Sequence, residues 1–255
     1  MTATFFGNFD LAQLALYSFW LFFAGLVVYL QRENQRDGYP TENEDGSDAG
    51  ATFGVPEPKT FILPHGQGTV QFPNSWREDR VFAMEPTSPS AGAPYEPTGN
   101  PMLDGVGPAA YAMRKDTPEL DAHGKPSIVP MRLADGFRVL AGKDPRGLSV
   151  IAGDGEIAGT VSEMWVDEAE CIVRYLEVDL GGGGKRLIPM PLAKITWRGV
   201  KVHSIYAEHF ASVPITASDS QVTKLEEDKI CAYYAGGKLY AARDRLEPAF
   251  EPVEA

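Results

Sequence analysis

The chain has 255 residues, with 35 acidic and 23 basic side chains and a formal charge of −12 at neutral pH. That balance excludes a protein that grips nucleic acid through a Lys/Arg surplus, because neutralising phosphates needs cations. The charge is also unevenly spread. Residues 1–30 carry one acid, Asp10, and no Lys or Arg, so an acidic body follows a neutral N-terminal segment.

From Leu11 to Leu30 the sequence runs LAQLALYSFWLFFAGLVVYL, uncharged, with only Gln13 and Ser18 strongly polar. A helix of that length spans about 30 Å, the thickness of a bilayer's hydrocarbon core. Asp10 suits an N-cap, and Gln31-Arg32-Glu33-Asn34 ends the apolar run. A cleaved signal peptide needs a basic leader and a small-residue cleavage site. The leader MTATFFGNFD has no base and the span ends in Val-Val-Tyr-Leu, so a membrane-spanning helix over 11–31 is expected. A buried core helix is the alternative and would have less polar flanks. Arg32 and Arg36, against no N-terminal base, place residues 1–10 outside and the body in the cytoplasm. Cys171 and Cys231 without a CxxC spacing suit a reduced compartment. Trp20 sits mid-span, either against another protein helix or facing lipid.

Residues 32–130 read as an extended segment rich in Pro and Gly. The stretch 31–130 holds 14 of the 20 prolines and 11 of the 26 glycines, at the edge of the disordered range. Glu42 to Asp48 reads as a solvated acidic loop. Eight aromatics, Tyr39, Phe53, Phe61, Phe72, Trp76, Phe82, Tyr95 and Tyr111, argue against a disordered chain. Irregular backbone with spaced aromatics suggests a strap across a partner surface, ordered by that partner. Short runs such as Thr60–Leu63 read as single strands.

From about Phe137 short β-rich runs recur: Phe137–Leu140, Leu148–Ile151, Ile157–Val166, Cys171–Leu180, Lys185–Met190, Ile195–Trp197 and Val200–Ile205. Turn signals separate them, which favours a small antiparallel barrel or sandwich over 131–215. In 216–255, Val222–Ala242 reads as a helix with an apolar stripe of Leu225, Ile230, Tyr233 and Tyr234, weakened at Gly236-Gly237. The tail from Pro248 reads as frayed.

Most chemical signatures fail. Gly181–Gly184 joins two strands and lacks the Lys and Ser/Thr of a phosphate loop. Gly153, Gly155 and Gly159 give GxGxxxG, not the dinucleotide fingerprint. His65, His123, His203 and His209 have no metal-ligand spacing, and His203 and His209 read as structural. No GxSxG motif is present, so no catalytic site is expected. One cluster differs in kind. Asp121 and His123 lie in DAHGK, and Asp167, Glu168 and Glu170 crowd a turn before CIVRYLEVDL. An imidazole beside carboxylates exchanges protons near neutrality, and neighbouring carboxylates raise one another's proton affinity when partly buried. The alternative is a solvated acidic turn with a surface histidine.

FGNFDLAQLALYSFWLFFAGLVVYLQRENQRDGYP resembles the N-terminal signature of the H subunit of the purple-bacterial photosynthetic reaction centre. KTFILPHGQGT, PTGNPMLDGVGPAAY, RKDTPELDAHGK and LEEDKICAYYAGGKLYAA extend the resemblance from Phe6 to about Ala242. It implies a membrane-anchored, mainly β protein with one transmembrane helix, an extended strap, a PRC-type barrel and a helix near the C-terminus. It implies a non-catalytic subunit that caps the cytoplasmic face of the L and M subunits. Bacteriochlorophyll, bacteriopheophytin, quinones and non-haem iron would be held by those partners, and no cofactor or metal by this chain. Membrane lipid and a light-harvesting complex are the further neighbours, in a bacterial inner membrane of the chromatophore type. By the same resemblance Asp121 and His123 match surface proton-uptake positions, Glu170 matches an inner carboxylate of the route, and Asp167 lies beside it. Related proteins can carry a second histidine where this chain has Lys125, which shifts the burden to His123 and nearby acids. PRC-type barrels also occur elsewhere, so a membrane-tethered adaptor for another complex is the alternative.

Overall fold

The computed structural model describes residues 4–6, 9–36, 43, 47, 49–50, 54–74, 76, 78–90 and 92–242. The acidic loop read at Glu42–Asp48, apart from Asn43 and Ser47, lies outside these residues, as do Tyr39, Phe53 and the tail from Pro248. The chain divides into two units: Met1–Glu78 with Ser90–Gly92, and Asp79–Pro89 with Ala93–Ala255.

In the first unit a short antiparallel pair, β1 (Thr4–Phe6) and β2 (Phe9–Asp10), leads into α1 (Leu11–Asn34). Asp10 caps the helix: its side chain accepts from the Gln13 amide at 2.8 Å, and the Gln13 side chain accepts from the Asp10 amide. This reciprocal bonding satisfies two donors that a helix start otherwise leaves open. The apolar core of α1 has a mean hydropathy of 1.9, and none of its residues is buried by the chain. An uncovered apolar helix of this length belongs in a bilayer. Trp20 packs edge-on to Phe19 and Phe23 of its own helix, at 5.5 and 6.0 Å between ring centres. Beyond α1, β3 (Lys59–Ile62) and β4 (Thr69–Phe72) form an antiparallel hairpin.

In the second unit β5 (Met84–Pro86) pairs with β6 (Tyr95–Pro97), and α2 (Pro101–Asp104) is a single turn capped by Asn100. The Arg80 guanidinium lies 4.3 Å from the Tyr111 ring centre and donates to the Tyr111 carbonyl. A sheet of seven strands follows: β7 (Ile128–Pro130), β8 (Ser149–Ile151), β9 (Ile157–Asp167), β10 (Ile172–Asp179), β11 (Lys185–Pro189), β12 (Ala193–Ile195) and β13 (Val200–Val202). The order is β11-β10-β9-β8-β13-β12, with β7 also on β9, and the sheet curls as a half-barrel. All pairings are antiparallel except β13 with β8. The meander from β8 to β11 leads away, and the chain returns through β12 to place β13 parallel to β8.

Val150, Val161, Leu176, Val178, Ile188 and Val200 pack on one face of the sheet, and Trp165 is buried on the other. Glu177 is buried beside Trp165 on that second face. Burial works to raise its pKa, but hydrogen bonds from Lys185, Ser162 and Trp165 outweigh that and hold it below the ordinary value. The helix α3 (Lys224–Tyr240) closes the core with Ile230, Tyr233 and Tyr234. Thr223 caps it with Glu226 in a reciprocal box.

Two local expectations are corrected. Phe137–Leu140 is not a strand; Phe137 and Val139 rest partly buried on the core without a ladder. β-rich composition reports a half-buried surface rather than pairing itself. Gly236-Gly237 does not interrupt α3. A Cβ at Gly236 would collide with Ala109, and one at Gly237 with Ile205 and the Ser204 carbonyl. The glycines let neighbouring backbone approach.

Candidate functional site

Asp121 and His123 lie on a tight hairpin. The Asp121 amide donates to the Lys125 carbonyl at 2.7 Å, and the Ser127 amide to Glu119 at 2.8 Å. The Asp121 carboxylate accepts from the Lys125 and His123 amides, each at 2.8 Å. These amides, Lys125 first, hold its pKa below the ordinary aspartate value. His123 and Lys125 are exposed.

The hairpin runs into β7, where Ile128 pairs with Asp167 and the Glu168 amide donates to the Ser127 carbonyl at 2.8 Å. Asp167, 4% exposed, ends β9. One carboxylate oxygen accepts from the Ala169 and Glu170 amides at 3.0 Å, and the other from Arg174 Nε at 3.2 Å. Arg174 Nη2 donates to Glu170 at 2.7 Å. One guanidinium therefore joins Asp167 and Glu170. Asp121 and His123 form a second group, tied to the first by strand pairing. Among the described residues no hydrogen bond or ion pair links the carboxylates of the two turns.

The tertiary structure adds residues the sequence did not single out. Arg174 also lines a cleft of about 430 Å3, together with Arg114, Tyr175, Glu227, Asp228 and Cys231. The Tyr175 hydroxyl donates to Glu227 Oε1 at 2.9 Å. Burial pushes the Glu227 carboxyl up, helped by the negative charge of Glu119 and opposed by Tyr175, Arg114 and Arg174. Burial likewise raises the Tyr175 hydroxyl far beyond its ordinary value. Glu119 lies on the same hairpin as Asp121, so that hairpin's charge also reaches the cleft. Glu227 sits in the charged run LEEDK, which reads as a solvated helix face; its partner is 52 positions away. No local pattern signals that pairing. His209 is structural: its Nδ1 accepts from the Tyr206 amide at 3.1 Å.

Two of these carboxyls are driven in opposite directions: Asp121 is held ionised and Glu227 is biased toward its proton. That suits proton exchange more than bond-making. No group of three or more His, Cys, Asp or Glu fit to hold a metal occurs among the described residues.

The family model of the photosynthetic reaction centre H-chain N-terminal region matches residues 3–133, about half of the chain. The chain belongs to the reaction-centre H-chain family. The PRC-barrel domain model matches residues 137–209, which contain β8 to β13. The H-chain match decides against the adaptor alternative, which the barrel alone would leave open. It makes this an H subunit of a photosynthetic reaction centre, a structural subunit associated with L and M. With α1 it gives a membrane-anchored protein.

Proposed function

We propose that this H subunit caps the cytoplasmic face of the L and M subunits, shields their quinone region and carries protons toward the secondary quinone. Its N-terminus would be periplasmic and its body cytoplasmic, in a chromatophore-type inner membrane beside light-harvesting complexes. The strap would lie along the L–M surface. Pigments, quinones and iron stay with the partners.

The observation that carries the reading is Arg174. It holds Asp167 and Glu170 on one side and lines the Glu227 cleft on the other. Asp121, kept ionised by two amides, draws protons to the surface beside the exposed His123 ring, which takes them up. Asp167 and Glu170, joined by the Arg174 guanidinium, then offer the next acceptors. Lys125 adds a cation where a second neutral acceptor would help, so His123 carries more of the uptake.

The test is the double variant Asp121→Asn/His123→Ala in the assembled complex. Flash-induced proton uptake linked to quinone reduction should slow by about tenfold or more, as for loss of a positioned proton-transfer group. Primary charge separation should be unchanged. Normal uptake kinetics would sink the assignment.

A further inference from the structure

The cytoplasmic end of α1 is gripped by the β3–β4 hairpin. Arg36 is buried. Its guanidinium donates to the Glu33 carboxylate at 3.0 and 3.1 Å and to the carbonyl oxygens of Glu57 and Phe72. Lys59 Nζ reaches the same carboxylate at 2.6 Å. Lys59 opens β3, Phe72 closes β4, and the two are paired across the ladder. The last turn of the helix thus holds the open end of the hairpin from both strands.

The register sorts the hairpin into unlike faces. Paired residues share a face and successive ones alternate. Lys59, Phe61, Val70 and Phe72 make one face; Thr60, Ile62, Thr69 and Gln71 make the other. The Phe61 and Phe72 rings lie 6.4 Å apart, as neighbours on one face should. That face is apolar apart from Lys59, whose ammonium turns to Glu33 on the helix. The opposite face is polar except for Ile62 near the tip, with Gln71 Nε2 donating to Thr60 Oγ1 at 2.9 Å. Phe61 and Phe72 remain 44% and 40% exposed, so the chain itself does not cover the apolar face.

We propose that this face rests in the cytoplasmic headgroup–acyl boundary of the bilayer, as a lipid-facing platform fixed to the end of α1. Depth argues for lipid as the occupant. Glu33 is three positions past Leu30, so the grip lies about 4–5 Å beyond the uncharged span, at headgroup level. Composition argues the same way: Phe61 and Phe72 on the apolar face, with Lys59 and Arg36 at its helix end, match the Phe and Lys/Arg content of interfacial elements. An element apolar on one side and hydrogen-bonded polar on the other is suited to lie in that plane. The platform would fix the depth and tilt of α1 by resisting movement along the membrane normal. The proposal rests on α1 spanning the membrane and is independent of the proton-transfer reading.

The test places a photo-crosslinking phenylalanine derivative at Phe61, Phe72, Thr60 or Gln71 of the full chain, one position at a time. Membranes containing the assembled complex are irradiated and the adducts identified by mass spectrometry. Lipid adducts should be several-fold more abundant from positions 61 and 72 than from 60 and 71. Equal yields from both faces, no lipid adducts, or crosslinks from 61 and 72 mainly to another polypeptide would each overturn the platform. Val70 replaces any apolar-face position at which the variant fails to accumulate. An alkaline carbonate wash separates the two levels. Release of the chain would refute the anchor and the platform together, whereas retention without lipid adducts at 61 and 72 would refute the platform alone.

Discussion

Asp121 and Glu227 carry the same functional group and are driven in opposite directions. Asp121 accepts two amide bonds on a surface turn and stays ionised; Glu227 is half-buried against Tyr175 and favours its proton. Glu227 binds its proton more tightly in the folded than in the unfolded chain. Its contribution to stability is therefore present at low pH and is lost as pH rises through the folded-state value. Glu227→Gln keeps an acceptor for Tyr175 and removes the titration. The thermal midpoint of the variant should rise relative to the parent as pH increases above the ordinary glutamate range. A midpoint difference that does not change with pH would show that burial does not govern this carboxyl. The carboxylates of Asp121, Asp167 and Glu170 were legible as candidates because they crowd two short stretches. Glu227 was not, because its environment is made by β10, which is remote in sequence.

At the scale of elements, α3 shows a propensity rule overridden by packing. Glycine in a helix interior costs about 1 kcal/mol against alanine, so Gly237→Ala should stabilise an isolated helix. In this fold the added Cβ meets Ile205 and lies 2.6 Å from the Ser204 carbonyl oxygen. Backbone cannot rotate away as a side chain can, and overpacking costs about 1–3 kcal/mol. The steric cost should prevail, lowering stability by up to about 2 kcal/mol once the propensity gain is deducted. Chemical denaturation of the purified chain measures this, and a more stable variant would contradict the close approach. Most strands from Leu148 onward were legible from β-rich runs between turn signals; the run Ile195–Trp197 was not, since β12 ends at Ile195 and Trp197 lies in a bend. Phe137–Leu140 has the same composition without a ladder, because side-chain packing and backbone pairing are separate requirements. The return of β13 beside β8 was not legible, since register and neighbour choice are long-range properties.

For the whole molecule, order is concentrated in the curled sheet and α3. Strands β9, β10 and β11 bury most of their length, whereas nearly every residue of β3 to β6 is exposed. Exposed backbone with few apolar contacts opens at low free-energy cost. Limited trypsin digestion of the detergent-purified chain should cut within 54–100 several-fold faster than within β8–β13. Assembly with L and M should suppress those early cuts. Equal cutting in the free and assembled states would remove the strap's role as a partner-ordered segment.

The sequence by itself determined the anchor, the neutral-then-acidic division of charge, the β-rich C-terminal half and the family. Each rests on local composition or on long matched blocks that need no contacts. Only the tertiary structure decided which carboxyls share a guanidinium, that Glu227 is half-buried beside Tyr175, and that the end of α1 holds a two-faced hairpin. Those facts depend on side chains tens of residues apart arriving at one place. Burial and Coulomb interaction act over a few ångströms of space, whatever the separation along the chain.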